Sequence, residues 1–226
     1  PYTTLFRSLQ MRYGHDARVN NALTPPNTTI FAPGAANNLY VGNSDYMSVV
    51  KITPSGTATT FGTTNGPFIR ALAVDQTGKV YVACDSSKIE ALSPAGVLSL
   101  YYDGGELWQA SGLTFDSTGI LYCSDYSQNK VLKFSTPGSP TTYATDLLSS
   151  PLGIRFGASG KLYVANQSGY SVTSHTTGGV ATTFAENLNG PSAVAIYSPP
   201  PAVNLAPTEV ALSPNSIDEN NAPGAT

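Results

Sequence analysis

The chain has 226 residues, 11 Lys and Arg against 14 Asp and Glu, and a net charge of −3, with only 11% of its residues charged. That excludes an electrostatic nucleic-acid binder, which needs a basic face to neutralise phosphates. Two cysteines and two histidines cannot build a disulfide framework and leave little material for a zinc site or a His-dependent triad, and the apolar runs are far shorter than the roughly 20 residues of a spanning helix.

In chain order, residues 1–8 resemble the translation of a sequencing-adapter oligonucleotide and are set aside as non-native. An internal repeat then organises the chain: Tyr40, Tyr81, Tyr122 and Tyr163 are each 41 residues apart, as are Phe61, Tyr102, Tyr143 and Phe184. Asp75 and Asp116 lie on the same ladder, with Gly34 and Gly157 in their place in the first and fourth copies. A period of this length is a supersecondary unit. Each unit reads as four short strands, a to d, at 70–75, 79–84, 88–93 and 97–102 in the second copy. Asp75-Gln-Thr-Gly78 and Asp116-Ser-Thr-Gly119 fit type I turns closed by a G1 bulge, joining a to b. Thr53-Pro-Ser-Gly56 and Ser93-Pro-Ala-Gly96 place Pro and Gly where turns joining c to d want them.

The strands carry continuous apolar runs, as expected of small sheets covered on both faces. The fold class is all-β: a β-propeller of four-stranded antiparallel blades. Blades fall at 26–63, 67–104, 108–145 and 150–186, and 191–198 reads as strand a of one more. Cys84 and Cys123 stand at different heights on neighbouring blades and read as two free, buried thiols.

Residues 111–134, with Gly-Leu-Thr-Phe-Asp, a turn glycine, Leu-Tyr-Cys-Ser-Asp and an Asn before the third strand, resemble an NHL repeat. The resemblance covers 26–198 and is weakest in the first copy, where Asn37 replaces the turn glycine and Gly34 the aspartate. It implies six blades in the complete protein and makes 9–198 a partial propeller, with the remainder upstream. A Pro-rich linker follows at 199–207. Residues 208–226 resemble the start of a bacterial cadherin-like β-sandwich, in which Glu219 matches a calcium-ligating glutamate, although the usual Asp-x-Asn-Asp motif is absent. Calcium is expected, if anywhere, at Glu219, and no cofactor in the propeller.

Asp75 and Asp116 read as turn acceptors, the repeat tyrosines as interblade packing, and Asn43, Asp125 and Asn166, with Cys84 at the same place, as groups reaching neighbouring backbone. Gluconolactonase-like enzymes share the resembling fold and hold a divalent metal in the channel with Glu, Asn and Asp. Strand a here offers Ala71, Ala73, Leu113, Ile154, Arg155 and Val194, without a carboxylate, and His175 near a c–d turn does not replace the channel histidines of peptide-amidating relatives. Enzyme activity is therefore the weaker reading. The b–c and d–a loops share one face, carrying Tyr46, Tyr126 and Tyr170 together with Asp103, Glu106 and Trp108 of the loop 103–109. This points to an extracellular or cell-surface bacterial recognition module that binds a protein or glycan surface, with no nucleic-acid partner, no transmembrane segment, and further blades and cadherin-like repeats in the same chain. A lactonase-like metal-dependent hydrolase and a passive structural spacer are the alternatives.

Overall fold

A computed structural model of the chain describes residues 30–34, 37–66, 68–84 and 86–196. The segments 1–8, 199–207 and 208–226, with Glu219, lie outside the described residues. Among the described residues sixteen strands form four antiparallel sheets, each paired in chain order. The first blade holds β1 (Ile30–Pro33), β2 (Leu39–Asn43), β3 (Ser48–Ile52) and β4 (Ala58–Thr63). The second holds β5 (Ile69–Val74), β6 (Val80–Cys84), β7 (Lys88–Leu92) and β8 (Leu98–Asp103). The third holds β9 (Ala110–Phe115), β10 (Leu121–Asp125), β11 (Lys130–Thr136) and β12 (Ser139–Ala144), and the fourth β13 (Pro151–Phe156), β14 (Leu162–Asn166), β15 (Ser171–His175) and β16 (Ala181–Ala185). First strands of successive blades lie side by side, so the blades share an axis as in a β-propeller.

The a–b turns form as their chemistry requires. Asp116 Oδ1 accepts from Thr118 N, Thr118 Oγ1 and Ile120 N, and its Oδ2 accepts from the Tyr122 hydroxyl. Asp75 does the same for Thr77, Lys79 and Tyr81. Burial by itself would raise the Asp116 pKa, but these hydrogen bonds outweigh it and hold the carboxyl below its ordinary 3.8. A depressed folded pKa contributes stability that is complete above the unfolded value and is lost as pH falls through the folded one. Asp116→Asn should therefore flatten the acid limb of the stability profile below about pH 4. A limb as steep as the wild type's in acid titrations followed by circular dichroism would count against this account.

Each repeat tyrosine meets an aromatic ring of its own strand d edge-on, but one member of the expected ladder is corrected. The pairs are Tyr40–Phe61, Tyr81–Tyr101, Tyr122–Tyr143 and Tyr163–Phe184, with ring centroids 4.9, 5.0, 5.0 and 5.1 Å apart. Tyr101 takes the place expected for Tyr102. In every blade the ladder between strands c and d skips this one residue: Val49 and Val50 pair with Gly62 and Thr60, Ile89 and Glu90 with Tyr102 and Leu100. The ring-bearing residue is a β-bulge, which re-aims its side chain over the tyrosine. Blade two reaches the bulge one residue early because its b–c loop is one residue short. Three residues separate Cys84 from Lys88, where four separate Asp125 from Lys130 and Asn166 from Ser171.

Three apolar clusters fill the gaps between successive blades. Ala71, Ala73, Leu113 and Ile154, expected as channel positions of strand a, are buried in these gaps instead. The cysteines are free and buried, as expected, and burial together with the Glu90 charge pushes the Cys84 thiol up to about 12.

The strand expected at 191–198 is not formed over 191–196, because no described strand b pairs with it. The segment nevertheless lies on β13 as β13 lies on β9. Gly153 N donates to Ser192 O at 3.0 Å, and a Cβ on Gly153 would meet Ala193 Cα at 2.7 Å. One repeat earlier, a Cβ on Gly112 would meet Leu152 O.

Candidate functional site: the loop face

The b–c and d–a loops emerge at one end of every blade, and backbone bonds tie them together. Thr64 N donates to Met47 O, Tyr126 N to Gln109 O, Gln167 N to Ser150 O and Leu188 N to Tyr170 O. Asp125, fully buried at the end of β10, accepts the N–H groups of Trp108, Gln109, Ser127 and Gln128 at 2.8 to 3.2 Å. Asn166 receives Ser149 N at 3.1 Å one blade on. Asp125 and Asn166, two of the four side chains that end strand b, thus clamp loops, as their sequence positions suggest.

On this clamped scaffold, Tyr46, Met47, Phe68, Trp108, Leu147 and Tyr170 are each between 42% and 65% exposed. Trp108, Tyr46 and Tyr170 stand where the sequence places them. Tyr126 does not present a free ring: it is half-buried, and its hydroxyl donates to Gln167 Oε1 at 3.1 Å, bridging blades three and four. Asp103 is paired with Lys88 at 2.8 Å and Glu106 with Lys130 at 3.5 Å, so both carboxylates serve neighbouring strands. In that loop Leu107 is fully buried, and Gly104 makes room for Tyr102, whose hydroxyl a Cβ there would meet at 2.7 Å.

Met47, Phe68 and Leu147 are additional exposed residues not singled out from the sequence. Together with Tyr170 they adopt left-handed backbone, with φ of 47°, 52°, 56° and 50°. A bulky residue in this region costs about 1–2 kcal/mol, and such strain collects at functional surfaces. Asn129, at the repeat position matching Met47 and Tyr170, shows the unstrained choice. That Asn was the one signal in the sequence that the position is left-handed.

At the axis, Arg70, Gln109, Ser111, Tyr126, Leu152 and Gln167 line a cavity of about 300 Å³. Arg70, Ser111 and Leu152 are the second residues of β5, β9 and β13, one residue before Ala71 and two before Leu113 and Ile154, the positions that the sequence offers for the channel. Ser111 Oγ donates to Pro151 O at 2.7 Å and Ser124 Oγ to Leu152 O at 2.6 Å, which joins blades three and four beside the cavity. The four inner strands contribute Arg70 and Arg155 and no carboxylate.

With this geometry established, comparison with solved structures gives consistent relatives. A streptogramin B lyase matches with a TM-score of 0.67 at 16% identity over 77% of this chain and 60% of its own. A gluconolactonase from Xanthomonas campestris matches with a TM-score of 0.60 at 16% identity over 73% of this chain and 64% of its own. A chain of a nidogen/laminin complex matches with a TM-score of 0.67 at 19% identity over 76% of this chain and 68% of its own. What they share with this chain is the β-propeller fold. The chain spans less than two thirds of the length of the lyase and of the gluconolactonase. No family model matches the sequence, and no protein of curated function matches it. Enzymes and a member of a protein complex thus occur among the structural relatives, and at these identities the fold by itself does not choose between them.

Proposed function

We propose that the propeller is an NHL-type recognition module whose loop face binds a protein surface. The observation that carries this reading is the set of exposed Met47, Phe68, Leu147 and Tyr170 side chains on strained left-handed backbone, on the same loop face as the exposed Trp108. Aliphatic Met and Leu among the rings favour a protein over a glycan, which stacks on aromatic faces. The fold's occurrence in a nidogen/laminin complex supports the same reading. The proposal places the module outside a bacterial cell, ahead of the 199–207 linker and the cadherin-like start at 208–226, where Glu219 would supply one oxygen to Ca²⁺.

The test is to probe the immobilised chain with a bacterial surface-protein extract, with a glycan array, and with lactones in the presence of divalent metal. Retained proteins are identified and their Kd measured with the purified partner. Trp108→Ala should weaken that Kd at least about tenfold, as truncation of an aromatic anchor does, while moving Tm by no more than a few degrees, because the ring is exposed. Retention on glycans only, or lactone turnover, would replace this reading with the corresponding alternative. A collapse of stability in Trp108→Ala would make the ring a packing residue.

A further inference from the structure

A second cavity, of about 410 Å³, lies between the first and second blades and is lined by Asn65, Gly66, Ser86, Lys88, Leu98, Ser99, Leu100 and Glu90. Glu90 breaks the pattern of its strand. It is the third residue of β7, and the third residues of β3, β11 and β15 are Val50, Leu132 and Thr173, all buried. Glu90 is buried to the same degree, at 4% exposure. Its ladder neighbours Val82 and Leu100 are apolar. A carboxylate in that setting has lost its water and needs compensation. Among the described residues Asn65 N is its one hydrogen-bond donor, shared between its two oxygens at 3.2 and 3.0 Å. Lys88, two residues before it, is held by Asp103 at 2.8 Å. With Lys88 taken up by Asp103, no ion pair to Glu90 forms among the described residues.

We propose that this cavity is a binding site for an organic ammonium group, with Glu90 as its counter-ion, Ser86 and Ser99 as hydroxyl partners, and Leu98 and Leu100 against the carbon skeleton. The volume lies within the range of small-ligand sites, which are mostly apolar with a few placed polar groups. A residue that violates the pattern of its element is where function is expected. The site takes Asn65, Gly66 and Ser86 from loops of that face but uses none of the exposed side chains on which the proposed function rests.

The ammonium can come as a free amine or as the lysine side chain of a peptide, and the probes separate the two. Phenethylammonium, Nα-acetyl-lysine N-methylamide and the neutral phenethyl alcohol are titrated into the full 226-residue chain, following the amide resonances of Asn65 and Gly66. At least one ammonium should shift Asn65 saturably, while the alcohol should not. Saturation by the free amine alone points to a metabolite, and saturation by the lysine derivative to a peptide. Glu90→Gln should weaken binding by at least about tenfold, the loss expected when a buried charge partner is neutralised. Leu100→Lys, at an exposed rim position that does not threaten folding, should do the same by bringing its own ammonium to Glu90. No saturable shift with either ammonium up to about 10 mM, a level at which binding is weaker than most small-ligand sites, would overturn the proposal. So would alcohol binding equal to the amine's, or unchanged affinity in Leu100→Lys.

Discussion

Replacing Asp125 by alanine should lower the unfolding free energy by about 3–4 kcal/mol, among the largest effects of any substitution outside the interblade core. The carboxylate is fully buried and holds four backbone N–H groups, two from the 103–109 loop and two from its own b–c loop. A truncated side chain leaves these donors facing a void, and each unsatisfied one costs about 1–3 kcal/mol until water reaches it. Ser127 is exposed, so part of the loss is recovered by hydration and the four do not add. Asn166→Ala is the internal comparison: its Oδ1 takes one loop N–H, from Ser149, and its Nδ2 donates within the blade to Thr173 Oγ1, and the loss should be about 2 kcal/mol. Denaturant unfolding of the two variants measures the difference. Equal losses, or less than about 1 kcal/mol for Asp125→Ala, would mean that the loops are held by their backbone bonds alone. Because Trp108 N is one of the donors, Asp125→Ala should also loosen the loop face, which Trp108→Ala leaves in place.

Gly112→Ala should cost about 2–4 kcal/mol, and Gly153→Ala, at the same place one repeat later, under about 1 kcal/mol. At Gly112 an added Cβ would lie 2.3 Å from Leu152 O and 2.7 Å from Ser124 Oγ. Leu152 O belongs to β13 and already accepts from Ser124 Oγ, so neither atom can retreat without parting β9 from β13. At Gly153 the clash falls on Ser192 and Ala193, which belong to no ladder among the described residues. That segment can shift without opening a sheet. Faster amide exchange at Gly153 N with little change in global stability is the expected signature of Gly153→Ala. Similar global losses for both would show that 191–196 is seated as firmly as a full inner strand.

Much of the architecture is legible without coordinates because its causes are local. Asp75 and Asp116, with a glycine three residues on, dictate their turns through hydrogen bonds spanning at most six residues. The tyrosine spacing gives the blade period, and the meander order of each blade then sends the b–c and d–a loops to one end. Trp108, Tyr46 and Tyr170 could be named as exposed on that end for this reason.

What stayed hidden depends on partners distant in sequence or on cancelling changes of length. Tyr102 looked like the ladder aromatic because the b–c loop of blade two is one residue short and the following d–a connection restores the count. The 41-residue period survives while strands c and d inside the blade are displaced by one. Only the ladder of β7 with β8 shows that Tyr101 is the bulge residue. Tyr126 could not be told from Tyr46 until Gln167 was seen beside its hydroxyl. The left-handed backbone of Met47, Phe68, Leu147 and Tyr170 has no signature in residues that avoid it. Nothing in the sequence sets Glu90 apart from an ordinary strand charge; its burial, with Asn65 N at 3.0 Å from its carboxylate, comes from the connection that follows the first blade. Periodicity and turn chemistry act through the chain's own neighbours and so can be read from their order, whereas burial and side-chain direction are set by which strand lies opposite, and that is decided only when the blades pack.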